Sequence, residues 1–167
     1  MFQTVNGFLM SWERETASTQ KALNNLTDES LKQEVSEGHW SLGRTAWHIT
    51  TAIKIISSQT NLKFDGPAED YPVPGSASYI AETYKRTNAA FIAAVKEQWS
   101  DDDMAVEIDV FGQKMNIGTL LLFLMKHEIH HRGQMTVLMR QAGLNVPGFY
   151  GPSKEEWALM GMEAPKM

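Results

Sequence analysis

Four stretches of this chain repeat apolar residues at intervals of three and four, and that pattern limits what the chain can fold into more than any other feature of it. An interval averaging 3.6 residues places the side chains on one face of an α-helix, and such a stripe must be buried against a neighbour. The first stretch runs through Phe2, Val5, Phe8, Leu9, Trp12, Thr16, Thr19, Leu23 and Leu26. In the second, Ser41 is the natural N-cap, and Leu42, Thr45, Ala46, His48, Ile49, Ala52, Ile53 and Ile56 come after it. A third begins at Ser76 or Ser78, carries Ile80, Tyr84, Phe91 and Val95, and ends near Trp99. The fourth, rich in Leu and Met, spans about 118–141, with Gly143 placed to supply a left-handed C-terminal cap.

Between these stretches the punctuation is clear. Thr27, Asp28 and Glu29 break the first pattern and suit a short capped turn, and Gly38 ends the short segment beyond them. Gly66, Pro67, Pro72, Pro74 and Gly75 exclude regular structure from 60–76 and make it the one long loop. Val106, Ile108 and Val110 alternate with acidic residues, and Met115 and Ile117 lie beyond Gly112-Gln113. This period of two on both sides of a turn predicts a short hairpin, with Gly112 first in a type II′ turn. A short amphipathic piece around Trp157 closes the chain. The expectation is an all-α, four-helix bundle with a long loop between helices two and three and a short β-hairpin before helix four. With 167 residues and no internal repeat, 1–167 reads as a single domain.

The chain has no cysteine. That excludes a disulfide scaffold, a thiolate zinc site, an iron–sulfur cluster and a cysteine nucleophile, and leaves imidazole and carboxylate as metal ligands. Fifteen Lys+Arg against twenty Asp+Glu, scattered without a basic run, argue against nucleic acid as a partner. The longest apolar run, 117–125, is far short of the roughly 20 residues a membrane span requires. Residues 1–15 lack a basic n-region and a sustained apolar stretch, so the expectation is a soluble, cytoplasmic protein acting on a small molecule.

The five histidines are unequal. His127 and His131, in the run His127-Glu128-Ile129-His130-His131, lie four apart on one helix face with Cβ atoms roughly 6 Å apart. Leu120, Leu124, Met135 and Leu138 share that face, which aims the pair into the bundle. His48, in line with Thr45, Ala52 and Ile55 on helix two, is placed to add a third ligand from a neighbouring helix. Three imidazoles with an open fourth position make a catalytic rather than a structural metal site; the competing reading is of histidines satisfied in the core or at the surface. His39, in the loop before helix two, and His130, turned about 100° from His131, fit surface or supporting roles. The run also matches His-Glu-x-x-His, but no histidine lies beyond it, and the later acids are in the tail. Glu128, with Arg132 four residues on, reads by default as half of an exposed ion pair.

The segment 127–134, HEIHHRGQ, with the Met-rich end of helix four, Gly143 and Val146-Pro147-Gly148-Phe149-Tyr150-Gly151-Pro152, resembles the last bundle helix and tail of the DinB-like superfamily. Upstream, 40–49, WSLGRTAWHI, is similar to that family's second helix with its single histidine. The resemblance spans nearly the whole chain. It implies a four-helix bundle, often a homodimer, holding a divalent transition metal, zinc or nickel foremost, on His48, His127 and His131. It also implies chemistry of the kind its thiol S-transferases perform, joining a low-molecular-weight thiol such as bacillithiol or mycothiol to an electrophile. Alternatives are a metal-dependent small-molecule hydrolase with Glu128 as base, and a non-catalytic metal- or ligand-binding bundle. The 60–76 loop and the 145–157 tail are the segments expected to line the bundle mouth and set specificity.

Overall fold

The computed structural model describes residues 1–110 and 112–166. Its elements are α1 (Val5–Asn24), α2 (Leu42–Ser57), α3 (Ala77–Gln98), the strands β1 (Glu107–Val110) and β2 (Gln113–Asn116), α4 (Ile117–Gln141) and a short α5 (Lys154–Leu159). Single 3₁₀ turns at Ser30–Lys32 and Asp101–Ala105 take up the chain after α1 and α3.

Each bundle helix starts on a side chain able to accept from its unpaired N–H groups. Thr4, Ser41, Ser76 and Asn116 receive the backbone N–H of Gly7, Arg44, Tyr79 and Thr119 respectively. At the far end of α4, Gly143 adopts φ +75°, its N–H donates to the Arg140 carbonyl, and the Leu144 N–H reaches back to that of Met139. That pair of bonds is a Schellman cap, as the glycine predicted.

α1 and α2 each pack on both α3 and α4, so the cyclic order is α1, α3, α2, α4. The core is a ring-rich centre with aliphatic ends: Phe8, Trp12 and Phe91 stack edge and face within 6.0 Å of one another, and Ile49, Ile53, Ile80 and Leu120 are almost wholly buried. Burying one such side chain stabilises by about 1.5–3 kcal/mol, enough that the stripe, not helix propensity, holds each helix in place.

The hairpin lies where expected, but its turn is offset. Val110 pairs with Gln113, so Gly112 is second in the two-residue connection rather than first, at φ +82°. Gln113 belongs to β2 because its backbone completes the ladder; the turn's other residue, Phe111, lies outside the described residues, and the predicted turn type with it. No helix is long and apolar enough to cross a membrane among the described residues.

Candidate metal centre

His48, on the half-buried border of α2, meets His127 and His131, one turn apart on α4. One ligand-capable atom from each lies within 4.8 Å of the others, and the ring centroids are 4.4–4.9 Å apart. The Nε2 atoms of His48 and His127 stand 3.1 Å apart. Nitrogens sharing one tetrahedral zinc at 2.0–2.1 Å would be separated by about 3.3 Å, so the rings are close to the spacing a common ion imposes. The all-nitrogen donor set suits a divalent transition metal.

Two of the rings are oriented from behind. The Nδ1–H of His48 donates to Asp70 Oδ2 at 2.9 Å, and that of His131 to Gln134 Oε1 at 2.7 Å. Each bond fixes the tautomer that leaves Nε2 free for an ion. The Nδ1 of His127 is buried and without a partner. Burial, reinforced by the neighbouring imidazoles, pushes the His127 pKa down to about 4, and burial also lowers that of His131. Both rings are therefore neutral, and able to ligate, at neutral pH.

Asp70 is itself held by three donors: Arg44 Nη2 at 2.8 Å, Thr51 Oγ1 at 2.6 Å and the His48 ring. Burial works against its charge, but these bonds keep its carboxyl well below the usual range. Arg44 also donates to the Asp70 carbonyl at 3.0 Å, pinning the long loop to α2. Trp40 covers the cluster. Its ring lies edge-on to His48 at 5.0 Å and stacked on His131 at 6.1 Å, with the Arg44 guanidinium 4.4 Å from it.

The structure corrects three expectations. The centre of the α4 core stripe is Glu128 and Arg132, 2% and 1% exposed, and the two histidines flank it at the bundle's edge. Glu128 and Arg132 are thus no exposed ion pair. Glu128 Oε1 accepts from Thr19 at 2.7 Å and Tyr84 at 3.0 Å, while Arg132 pairs with Glu15 at 2.6 Å and donates to the Glu15 carbonyl. α1 and α3 supply these partners, while Glu128 Oε2 is buried without one. Burial outweighs those bonds and raises the Glu128 carboxyl to about 7. Bonded into the core between α1 and α3, Glu128 is not presented as a base to a molecule at the histidines. Finally, the two segments expected to line the mouth do not line the pocket beside His131. That pocket is walled by residues 35–40, by Thr45 of α2 and by α4, with a bridge between Glu34 and Ser41 folding the loop over the helix. The 60–76 loop reaches the histidines through Asp70, and the tail instead packs Phe149 and Tyr150 against Arg132.

His39 and His130 are exposed and stand outside the cluster, as expected. Sequence reasoning missed Asp70, Gln134 and the covering role of Trp40. Gln134 carries a usable signal, being three residues beyond His131 on the same helix face; Asp70, 22 residues from His48 in an irregular loop, carries none.

Comparison with known proteins agrees with this architecture. The model of the DinB family matches residues 1–167. The chain is 60% identical to YrdA of Bacillus subtilis (strain 168) over the full length of both, and 28% identical to YjoA of the same organism, over 75% of this chain and 88% of YjoA. Among solved structures, a DinB-like protein from Bacillus cereus ATCC 10987 is 57% identical, with a TM-score of 0.88 over 90% of this chain and all of that one. The crystal structure of YjoA shares the fold at 22% identity, with a TM-score of 0.67 over 87% of this chain and 98% of its own. A full-length family match and the bundle with its three-histidine cluster lead to one assignment: this chain belongs to the DinB family.

Proposed function

We propose that the chain is a divalent-metal-dependent enzyme of the thiol S-transferase type, with His48, His127 and His131 as the metal ligands. The convergence of three ligand-capable histidine atoms within 4.8 Å, two of them fixed in the ligating tautomer by Asp70 and Gln134, carries the reading. When bound, zinc or nickel supplies a Lewis-acidic position at which a small thiol loses its proton at neutral pH. The chain's own part is to hold three imidazoles at the rim and to cover them with Trp40. In the transfer itself the thiolate sulfur forms a bond to an electrophilic carbon, and the leaving group departs with the electron pair. The absence of cysteine from this chain fits a thiol supplied from outside. A homodimer acting on a small molecule in the cytoplasm completes the proposal.

The hydrolase alternative loses its proposed base, since Glu128 is bonded to Thr19 and Tyr84 in the core. Metal analysis of protein purified without an affinity tag tests the first half: about one ion per chain is expected, lost in His48→Ala. Substoichiometric metal that His48→Ala leaves unchanged refutes it. Incubation with a model electrophile and bacillithiol, mycothiol, glutathione or coenzyme A tests the second, and failure with every thiol removes the transferase reading.

A further inference from the structure

Beside the histidine cluster lies a pocket of about 600 Å³, within the range of small-molecule sites. Three separate elements build it, α2 contributing Thr45. Val35 and Trp40 come from the 34–41 loop; Gln134, Val137 and Leu138 come from α4; His131 closes the end toward the metal ligands. The loop wall is internally braced: the Gly38 N–H donates to Glu34 Oε2 at 3.0 Å, the Ser36 hydroxyl is 3.0 Å from His39 Nδ1, and Gly38 turns the chain at φ +78°.

Among the described residues, no Asp, Glu, Lys or Arg lines this pocket. Arg44, 4.4 Å from the Trp40 ring, is committed to Asp70, and Arg140, farther along α4, is committed to Glu155. The charges on the loop itself are acidic, Glu34 and Glu37 on either side of Val35. An anion entering here would lose hydration without gaining a counter-charge and would approach two carboxylates. An uncharged apolar body would instead bury its surface against Val35, Val137, Leu138 and the Trp40 ring.

We propose that this pocket is the subsite for the uncharged, apolar body of the electrophilic substrate, held by Val35, Trp40, Val137 and Leu138 with its reactive end toward His131. The charged, hydroxyl-rich body of a bacillithiol-like cosubstrate is excluded from it. The direction of the reactive end rests on the metal-site reading; the pocket's preference for an uncharged apolar body does not.

The test is calorimetric titration of the full-length protein, as purified and after chelator treatment, with a matched pair: 4-phenylbutan-1-ol and 4-phenylbutyrate. Chelator treatment prevents the carboxylate from binding through the metal. The alcohol is expected to bind both preparations, and the carboxylate to bind the chelated protein about tenfold more weakly or worse. Val35→Asp and Val137→Asp, at positions 56% and 53% exposed where a carboxylate stays solvated, are expected to weaken alcohol binding about tenfold while metal content stays unchanged. Equal affinity for alcohol and carboxylate in chelated protein, or unaltered alcohol binding in both variants, overturns the proposal. So does a halved apparent size of Val137→Asp on sizing chromatography, which would make the pocket a seat for a second copy. Selective alcohol binding by protein that holds no metal upholds the pocket and removes only the metal reading.

Discussion

The Nδ1–H of His48 donates to the carboxylate of Asp70 at 2.9 Å, joining the second bundle helix to the long loop beyond it. The same carboxylate oxygen accepts from Arg44, so Asp70 is fixed before it fixes the ring. A histidine that gives up this acceptor can rotate or change tautomer, and both movements take Nε2 out of line. Asp70→Ala should therefore weaken metal binding by about 10–100-fold with all three histidines in place. Competition against a chelator of known affinity measures it; an unchanged constant would show that packing alone orients His48.

Glu128 makes stability depend on pH in a direction opposite to that of most carboxylates. Burial raises its carboxyl from 4.5 to about 7, so the folded chain keeps a proton that the unfolded chain releases. The resulting stabilisation is complete below about pH 4.5 and is lost as pH rises through about 7. His127, lowered from 6.5 to about 4, acts in the other sense, losing its contribution as pH falls. Comparison with Glu128→Gln cancels the histidine effect. The wild type minus variant difference from urea unfolding should fall by a few kcal/mol, roughly, between pH 5 and pH 8. A difference independent of pH would mean that Glu128 is ionised in the fold throughout.

The helical stripes and caps were readable because each is a local relation: Ser41 three residues before Arg44, Gly143 after the last turn of α4. The histidine triad was readable for the same reason on α4, and His48 because only one other helical stripe carried a histidine. What escaped was interior polarity. Glu128 and Arg132 have the spacing of an exposed i, i+4 pair, and nothing near them in sequence announces that Glu15, Thr19 and Tyr84 arrive from two other helices to bond them. Because that network occupies the centre of the α4 face, the histidines are displaced to its edge, where they are half-buried. The pocket wall escaped too, since residues 34–41 show neither period and are shaped by one bridge and a glycine at positive φ.

Arg132 ties two other segments, α1 and the tail, to α4. Its guanidinium pairs with Glu15, bonds Thr19, and lies 4.8 Å from the Phe149 ring and 3.2 Å from the Tyr150 hydroxyl. Removing one partner of a buried pair leaves the other charge uncompensated, at a cost of about 3–5 kcal/mol. Arg132→Ala should lower Tm by roughly 10 °C or more, and Glu15→Ala added to it should restore part of the loss. A double variant as unstable as the sum of the singles would show that the two side chains act independently.

Gly118 offers a test in which helix propensity and packing predict opposite signs. It is the second residue of α4, where helix propensity favours alanine over glycine by up to about 1 kcal/mol. Here, however, a Cβ would run into the Phe2 carbonyl and lie 3.3 Å from that of Met104. The N-terminal segment is held at that spot, the Phe2 N–H donating to the Gly118 carbonyl at 3.1 Å and the Phe2 ring lying edge-on to Phe8. Neither backbone can withdraw without giving up that bond. Gly118→Ala should therefore destabilise the chain by roughly 1–3 kcal/mol. Deleting residues 1–3 removes the obstructing carbonyl, so in that background the same substitution should cost much less. Thermal unfolding of the four proteins decides it: an alanine that stabilises the full-length chain would mean the segment around Phe2 is not docked on α4 in solution.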